Sequence, residues 1–163
     1  MLDAHTLREL LDYNPLTGEF HWRKLLSRKM PPGKPAGTID SKGYGAICIN
    51  RRIYRAHRLA FLYVYGRWPS GQIDHINCDR TDNRIGNLRE CSQTQNNANT
   101  AQRMTNKSGI KGVSWAARSG KWYAHIQCGG RQTNLGEFQR IEDAQSAYAS
   151  AAKAKFGEFA RVE

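Results

Sequence analysis

The segment QIDHINCDRTDNRIGNL, residues 72–88, constrains the fold of this chain more than any other part of the sequence. Asp74 and His75 stand side by side in it, bracketed by Ile73 and Ile76 as in a short strand. Asparagine, aspartate and threonine dominate residues 77–83, and these residue types favour turns. The pattern therefore predicts a short strand that ends in a tight polar loop.

A second strand and a helix are expected directly after this loop. Leu88 and Cys91 indicate a return strand, and the polar run SQTQNNAN indicates a short helix capped by Ser92. Strand, loop, strand and helix would bring Asp74 and Asn96 together across a small hairpin.

The residue types in this segment suit a hydrolytic metal site. Asp74 can give an anionic oxygen to Mg²⁺ or Mn²⁺ and Asn96 a neutral one, while water and a substrate phosphate complete the shell. His75 can act as a base, because an ordinary histidine is largely neutral near pH 7. An Asp-His pair alone is more often a turn residue beside a structural histidine, so the interpretation depends on the surrounding pattern.

The run DHINCDRTDNRIGNLRECSQTQNN resembles the HNH endonuclease motif of small phage homing endonucleases. The resemblance implies a ββα finger around one divalent ion, with Asp74 as the metal-binding acid and His75 as the general base. It makes Asn87 the central asparagine that braces the hairpin and holds the imidazole, and Asn96 the last metal ligand. Many relatives have histidine at that last position, so the chain is an H-N-N variant. An amide oxygen there favours Mg²⁺ or Mn²⁺ over tight Zn²⁺ binding.

The charge of the chain independently favours a polyanionic partner. Lysine and arginine number 25 against 14 acidic residues, for a formal net charge of +11. The basic residues, Arg51 and Arg52 among them, are spread along the chain and interleaved with aromatic residues, as on a folded binding face. We expect double-stranded DNA as the partner; the plainer alternative is a domain with a basic surface. The sequence shows no stacking platform of the common RNA-binding modules, so RNA is the less favoured partner.

The sequence predicts an α+β protein in two parts. Residues 1–98 are expected to form the nuclease domain, in which a small sheet and helices lead into a ββα-metal core at about 71–98. The run HRLAFLYVYG, His57 to Gly66, is typical of a buried helix that ends at a glycine, and His57 is interpreted as structural. Residues 99–107 are expected to be a linker.

Residues 108–163 are expected to form a three-stranded antiparallel sheet packed on one helix. Apolar residues alternate in three runs separated by Ser119-Gly120 and Gly129-Gly130 turns, and alanines recur at helical spacing before Gly157.

This second part resembles the AP2/ERF DNA-binding domain from about Ser108 to Ala160. The likeness rests on the K-G-V opening at Lys111, the K-W-x-A-x-I run from Lys121 and the L-G-x-F run from Leu135. It implies that the sheet lies in the major groove. The expected DNA contacts are Lys111, Gly112, Trp115, Arg118 and Arg131, and Arg103 and Lys107 in the linker are expected to follow the duplex.

Two features of this resemblance limit what it predicts. Ser114 and Ala116 stand where the plant transcription factors carry arginines, so sequence preference does not transfer from that family. For Trp122, packing in the core of a small sheet is as good an interpretation as DNA contact.

The sequence also suggests where the chain works. It has no run of about 18 apolar residues and no signal-peptide pattern, so we expect no membrane. Four scattered cysteines without a C-x-x-C pair predict reduced thiols rather than structural zinc. We expect a phage-encoded monomer in the cytoplasm of a bacterial host, with Mg²⁺ or Mn²⁺ and no organic cofactor.

Together these patterns predict a metal-dependent DNA endonuclease, either a site-directed homing-type enzyme or a nicking enzyme. Two alternatives stay open: a noncatalytic DNA-binding regulator, and a weakly specific nuclease of phage DNA processing.

Overall fold

The computed structural model describes residues 2–25, 30–100 and 106–162, which form four helices and ten strands in small antiparallel sheets. The α+β class expected from the sequence is therefore confirmed. The chain divides into two compact units between Cys91 and Ser92.

The first unit contains a two-stranded sheet, a three-stranded sheet, a β-hairpin and two helices. The elements are α1 (Ala4–Leu10), β1 (Leu11–Tyr13), β2 (Phe20–Trp22), β3 (Thr38–Ile39), β4 (Gly45–Ile49), β5 (Arg52–Arg55), α2 (Ala56–Tyr65), β6 (Gln72–His75) and β7 (Leu88–Cys91). Strand β1 pairs with β2, β4 lies between β3 and β5, and β6 pairs with β7.

Helix α2 is central to the core of this unit. Its residues Leu59, Ala60 and Leu62 are almost completely buried. The helix ends where Gly66 adopts a left-handed conformation (φ 71°) and donates its N–H to the carbonyl of Leu62. The predicted helix is confirmed, and it begins at Ala56, directly after β5.

The hairpin of β6 and β7 carries the acid and the imidazole. Its register sets Asp74 opposite Arg89 and His75 opposite Leu88. Ile76, which the sequence suggested as part of the strand, lies just past its end. The N–H of Ile76 donates to the carbonyl of Asn87 at 2.9 Å, which closes the base of the loop.

The second unit contains a three-stranded antiparallel sheet with β9 in the middle and α4 packed against it. Its buried core is Val113, Ala124, Ile126, Ala144, Tyr148 and Ala152. The elements are α3 (Gln93–Asn99), β8 (Val113–Ala116), β9 (Lys121–Cys128), β10 (Arg131–Phe138) and α4 (Ile141–Phe156). The three strands and the long helix lie where the sequence predicts them.

Helix α3 begins with the predicted serine cap. The Ser92 hydroxyl accepts from the Gln95 N–H, and the Gln95 side chain accepts from the Ser92 N–H. The helix continues through Asn99, so the first residue of the expected 99–107 linker is helical and buried. Residues 101–105, including the expected DNA contact Arg103, lie outside the described part of the chain.

No helix within residues 2–25, 30–100 and 106–162 is both long enough and apolar enough to cross a lipid bilayer.

Candidate active site

Asp74 and His75 are both buried at the end of β6. Asp74 is 4% exposed and His75 is 5% exposed. As neighbours in a strand they extend from opposite faces of the hairpin, so each meets a different set of partners. A buried charge and a buried imidazole both require specific partners, and the structure supplies them from β7, the loop and α2.

Arg89 is the charged partner of Asp74. It lies directly across the hairpin on β7, and its Nε and Nη2 atoms are each 2.9 Å from Oδ2 of Asp74. The two side chains are 15% and 5% exposed, so water screens this ion pair only weakly. The guanidinium of Arg89 therefore holds the carboxylate of Asp74 in place from across the hairpin.

Asn83 is the polar neighbour of the His75 ring. Its Oδ1 lies 3.4 Å from Nε2 of His75, and its Nδ2 donates to the carbonyl of Thr81 at 3.0 Å. Its own carbonyl accepts from the hydroxyl of Tyr13 at 2.8 Å. Asn83 therefore connects the imidazole to the loop and to the first sheet.

Burial lowers the pKa of His75 below its ordinary value, against smaller opposing effects from Asn83 and from nearby acids such as Asp74. The ring is therefore neutral at physiological pH, which is the form that accepts a proton.

A second histidine packs against the first. The ring of His57, at the start of α2, meets the His75 ring edge to face, with centroids 5.1 Å apart. The ring of Tyr44 lies 5.5 Å from His57 and 6.1 Å from His75. His57 is 8% exposed, and its Nδ1 has no hydrogen-bond partner among the described residues. Burial lowers its pKa to about 3, so both rings are neutral.

Asn87 ties the two ends of the polar loop together. Its Oδ1 accepts from the N–H of Asn77 at 3.0 Å, and its Nδ2 donates to the carbonyl of Asp82 at 2.9 Å. The backbone of Asn87 also receives the bond from Ile76 that closes the hairpin. These contacts fit a bracing role, and Asn83 lies between this brace and the imidazole as a polar neighbour of the ring.

Asn96, the second expected metal ligand, is half-buried in the middle of α3 and belongs to the second unit. In the described part of the chain, no group of three or more histidine, cysteine, aspartate or glutamate side chains could hold a metal ion. The two expected ligands, Asp74 and Asn96, carry oxygen donors, which are the type that hard dications take.

The expected DNA contacts of the first unit lie at a hairpin tip. Asn50 and Arg51 form the two-residue turn between β4 and β5, with φ values of 49° and 63°. Arg51 and Arg52 are exposed, and neither has an ion-pair partner among the residues that the structure describes. Two adjacent uncompensated charges therefore extend from this sheet.

Lys111 and Gly112, expected as DNA contacts, have internal partners in the second unit. Nζ of Lys111 donates to the carbonyls of Ala98 and Thr100 at 2.5 and 2.8 Å, where a cation stabilises the end of α3. Gly112 has φ 71°, and a Cβ there would lie 2.2 Å from the ring of Tyr148. Packing alone therefore requires glycine at this position.

The other expected contacts of this unit lie at its surface. Lys107, Arg118 and Arg131 are exposed. Trp115 is 53% exposed and packs edge to face on Trp122, its partner across the sheet, with ring centroids 5.1 Å apart. Trp122 is half-buried and packs against the core of the unit, in line with the packing interpretation.

The four cysteines are free thiols, which agrees with the interpretation that they are reduced. Burial raises the pKa of Cys91 to about 11, so this thiol stays protonated and unreactive.

The sequence pattern does not single out Asn83 or Arg89. It predicts a structural role for His57, which the burial of this residue fits, and it does not indicate the contact between His57 and His75. The signal for Arg89 was its place in the return strand, where antiparallel pairing sets it opposite Asp74. No comparable signal marks Asn83 among the many polar residues of its loop.

The comparisons with known proteins concern the segment that holds this pocket. A family model described as HNH endonuclease matches residues 54–98, from β5 through α3. Protein 3.8 of Escherichia phage T7 is 29% identical to the chain over 108 residues, which cover 66% of this chain and 88% of the phage protein. No solved structure matches the chain.

The family match begins at Tyr54 and ends at Ala98, so it includes Asp74, His75 and Asn96 and leaves the three-stranded sheet of the second unit unmatched. HNH endonuclease domains act on DNA. The matched segment holds the adjacent acid and imidazole of β6. The chain therefore contains an HNH endonuclease domain at residues 54–98 and is a homologue of a phage protein.

Proposed function

We propose that this protein is a metal-dependent DNA endonuclease that hydrolyses phosphodiester bonds. One observation carries the proposal: within the segment that matches HNH endonucleases, a buried neutral imidazole stands next to a buried carboxylate on one strand. The net charge of +11 supports a substrate with dense phosphate.

In this proposal His75 is the general base. When its Nε2–H donates to Oδ1 of Asn83, the neutral ring carries its lone pair on Nδ1. That atom would take the proton of the water that attacks phosphorus in line. Asn87 would keep the loop in place through its two bonds to the loop ends, so that Asn83 stays against the ring.

Asp74 and Asn96 would hold one Mg²⁺ or Mn²⁺ ion. Both supply oxygen, which hard dications prefer, and the small number of protein ligands leaves room for water and phosphate. When bound, the ion would neutralise charge on the scissile phosphate and on the departing 3′ oxygen. The products would carry a 5′-phosphate and a 3′-hydroxyl.

DNA affinity would come from basic residues outside the pocket. In the first unit Arg51, in the β4–β5 turn, and Arg52, at the start of β5, are exposed and have no ion-pair partner in the described part of the chain, which suits contact with phosphates. In the second unit, which we propose to be an AP2/ERF-like DNA-binding domain, the exposed residues Lys107, Arg118 and Arg131 would contact the duplex, with Trp115 beside them. We retain Arg103 in the linker as a proposed contact.

The phage relative supports a role in phage DNA metabolism inside the host cytoplasm. One HNH domain provides one cutting centre, so a monomer would nick one strand at a time. Site-directed cutting of the homing type and weakly specific processing would use the same pocket. A digest of a long natural genome distinguishes them, since the first gives a few discrete fragments and the second gives a smear.

A nicking assay on supercoiled plasmid tests the proposal. The wild-type protein should convert the plasmid to the open circle with Mg²⁺ or Mn²⁺ and leave it intact with EDTA. Asp74→Asn should abolish cutting, whereas Asp12→Asn, which changes an exposed acid on β1, should not. Cutting that survives EDTA or Asp74→Asn would contradict the metal-dependent mechanism.

A noncatalytic DNA-binding regulator is the second candidate, and the Asp74–Arg89 ion pair favours it, because a carboxylate neutralised by arginine is a weaker metal ligand. Such a protein would bind DNA and leave every strand intact with Mg²⁺ or Mn²⁺. The same plasmid assay, run with a DNA-binding measurement, separates the two.

A further inference from the structure

Arg89 contacts Asp74, the acid of the pocket, and has no role in the proposed mechanism. Both of its nitrogen contacts, from Nε and Nη2, converge on Oδ2 of Asp74 at 2.9 Å. Strand pairing sets the two residues directly opposite each other, so the backbone of the hairpin fixes this contact.

Two other acids near the pocket pair with exposed arginines. Glu90, next along β7, pairs with Arg67, and Asp82 in the loop pairs with Arg84. Arg89 instead pairs with Asp74, where both side chains are largely buried.

A guanidinium this close has two opposite effects on a metal ion. It holds the carboxylate in one orientation, which lowers the entropy cost of binding. It also cancels the charge of the carboxylate and repels a dication, and partial burial makes this repulsion stronger than at an exposed site. The repulsion therefore reduces the affinity of Asp74 for the ion.

A DNA phosphate adds negative charge beside both cations. A phosphate that enters the pocket attracts both the guanidinium and the dication, so the two cations repel each other less when DNA is bound. By linkage, DNA then tightens metal binding and the metal tightens DNA binding by the same factor.

We propose that Arg89 is a positioning residue that fixes Asp74 and makes metal binding depend on DNA. The inference rests on the proposed function, in which Asp74 is a metal ligand. Its consequence is an enzyme that loads its ion mainly at the substrate.

A Mn²⁺ titration of the full chain, followed by electron paramagnetic resonance, tests this inference without measuring cleavage. Arg89→Gln removes the charge and keeps a planar amide, and Arg89→Lys keeps the charge. Without DNA, Arg89→Gln should bind Mn²⁺ about tenfold more tightly than wild type, and Arg89→Lys should stay close to wild type. Equal or weaker binding by a folded Arg89→Gln variant would overturn the inference.

The second arm adds a short DNA duplex, with His75→Ala introduced into each protein so that the duplex stays intact. DNA should tighten Mn²⁺ binding about tenfold when Arg89 is present and much less in Arg89→Gln. If Arg89→Gln does not fold, the His75→Ala protein that keeps Arg89 still tests the inference. An equal Mn²⁺ affinity with and without DNA in that protein would overturn it.

The same titration with Asp74→Asn separates the two proposals. Loss of Mn²⁺ binding in Asp74→Asn together with no effect of Arg89→Gln would overturn the role of Arg89 and leave the metal assignment in place. Unchanged Mn²⁺ binding in Asp74→Asn would overturn the metal assignment of the proposed function, and the inference about Arg89 with it.

Discussion

The buried histidine of helix α2 should make the protein sensitive to acid. His57 is 8% exposed, its Nδ1 has no hydrogen-bond partner in the described part of the chain, and its ring packs edge to face on His75. Burial, helped by repulsion from His75 and the neighbouring arginines Arg58 and Arg55, lowers its pKa from 6.5 to about 3. In the unfolded chain the same ring is solvated and takes up a proton near its ordinary pKa.

The folded and unfolded chains bind different numbers of protons at acidic pH because the pKa of His57 differs between them. Between pH 6.5 and about 3 the unfolded chain binds a proton that the folded chain does not, so the free energy of unfolding decreases as the pH falls through this range. Each pH unit below the unfolded value costs about 1.4 kcal/mol, so His57 alone should remove about 2 kcal/mol of stability at about pH 5. Above about pH 7 its contribution should vanish.

Urea unfolding in EDTA at a series of pH values measures this contribution. His57→Phe keeps an aromatic ring against His75 and cannot be protonated, so its stability should fall less steeply with acid, by about 1.4 kcal/mol per pH unit between pH 6 and 4. His5→Gln, at an exposed position of α1, is the matched control and should follow wild type. Parallel stability curves for wild type and His57→Phe would refute the reasoning.

Three further outcomes follow from the pocket and the basic surface. Asn87→Ala should lower the free energy of unfolding by about 2–3 kcal/mol, because it removes two partly buried hydrogen bonds; urea unfolding checks this, and a loss below about 0.5 kcal/mol would contradict the bracing role. Changing Arg51 and Arg52 together to alanine should weaken DNA binding and reduce its salt dependence by about two ion equivalents, as measured by fluorescence anisotropy; an unchanged salt slope would exclude phosphate contacts there. Cleavage should decline on acidification only below the ordinary pKa of histidine, because burial lowers the pKa of His75; a decline centred above that value would argue against His75 as the base.

Much of the local structure could be predicted because it depends on short-range signals. The turn formers after His75, the serine cap of α3 and the glycine that ends α2 each act within a few residues. Alternating apolar residues likewise predicted the three strands of the second unit, because each core residue contacts a neighbour across the sheet.

The partners inside the pocket could not be predicted in the same way. His57 is 18 positions from His75 in sequence, and only the packing of α2 beside the hairpin brings the two rings together. The path of the loop places Asn83 beside the imidazole, and the composition of the loop does not specify that path.

The availability of individual basic residues to a partner could not be predicted from the sequence either. Lys111 contributes to the sequence charge as much as Arg51 does, yet it caps the carbonyls at the end of a helix, while Arg51 extends from a turn. Net charge therefore predicted the kind of partner without identifying which cations are available to it.

The comparison of wild type with His75→Ala tests the central claim most directly, when DNA binding and plasmid nicking are measured on the same preparations with Mg²⁺. We expect the variant to bind DNA with an affinity close to that of wild type and to produce no open circles, because the buried imidazole supplies the base and basic residues elsewhere supply affinity. Nicking by a folded His75→Ala variant at the wild-type rate would contradict the claim that this histidine activates the attacking water.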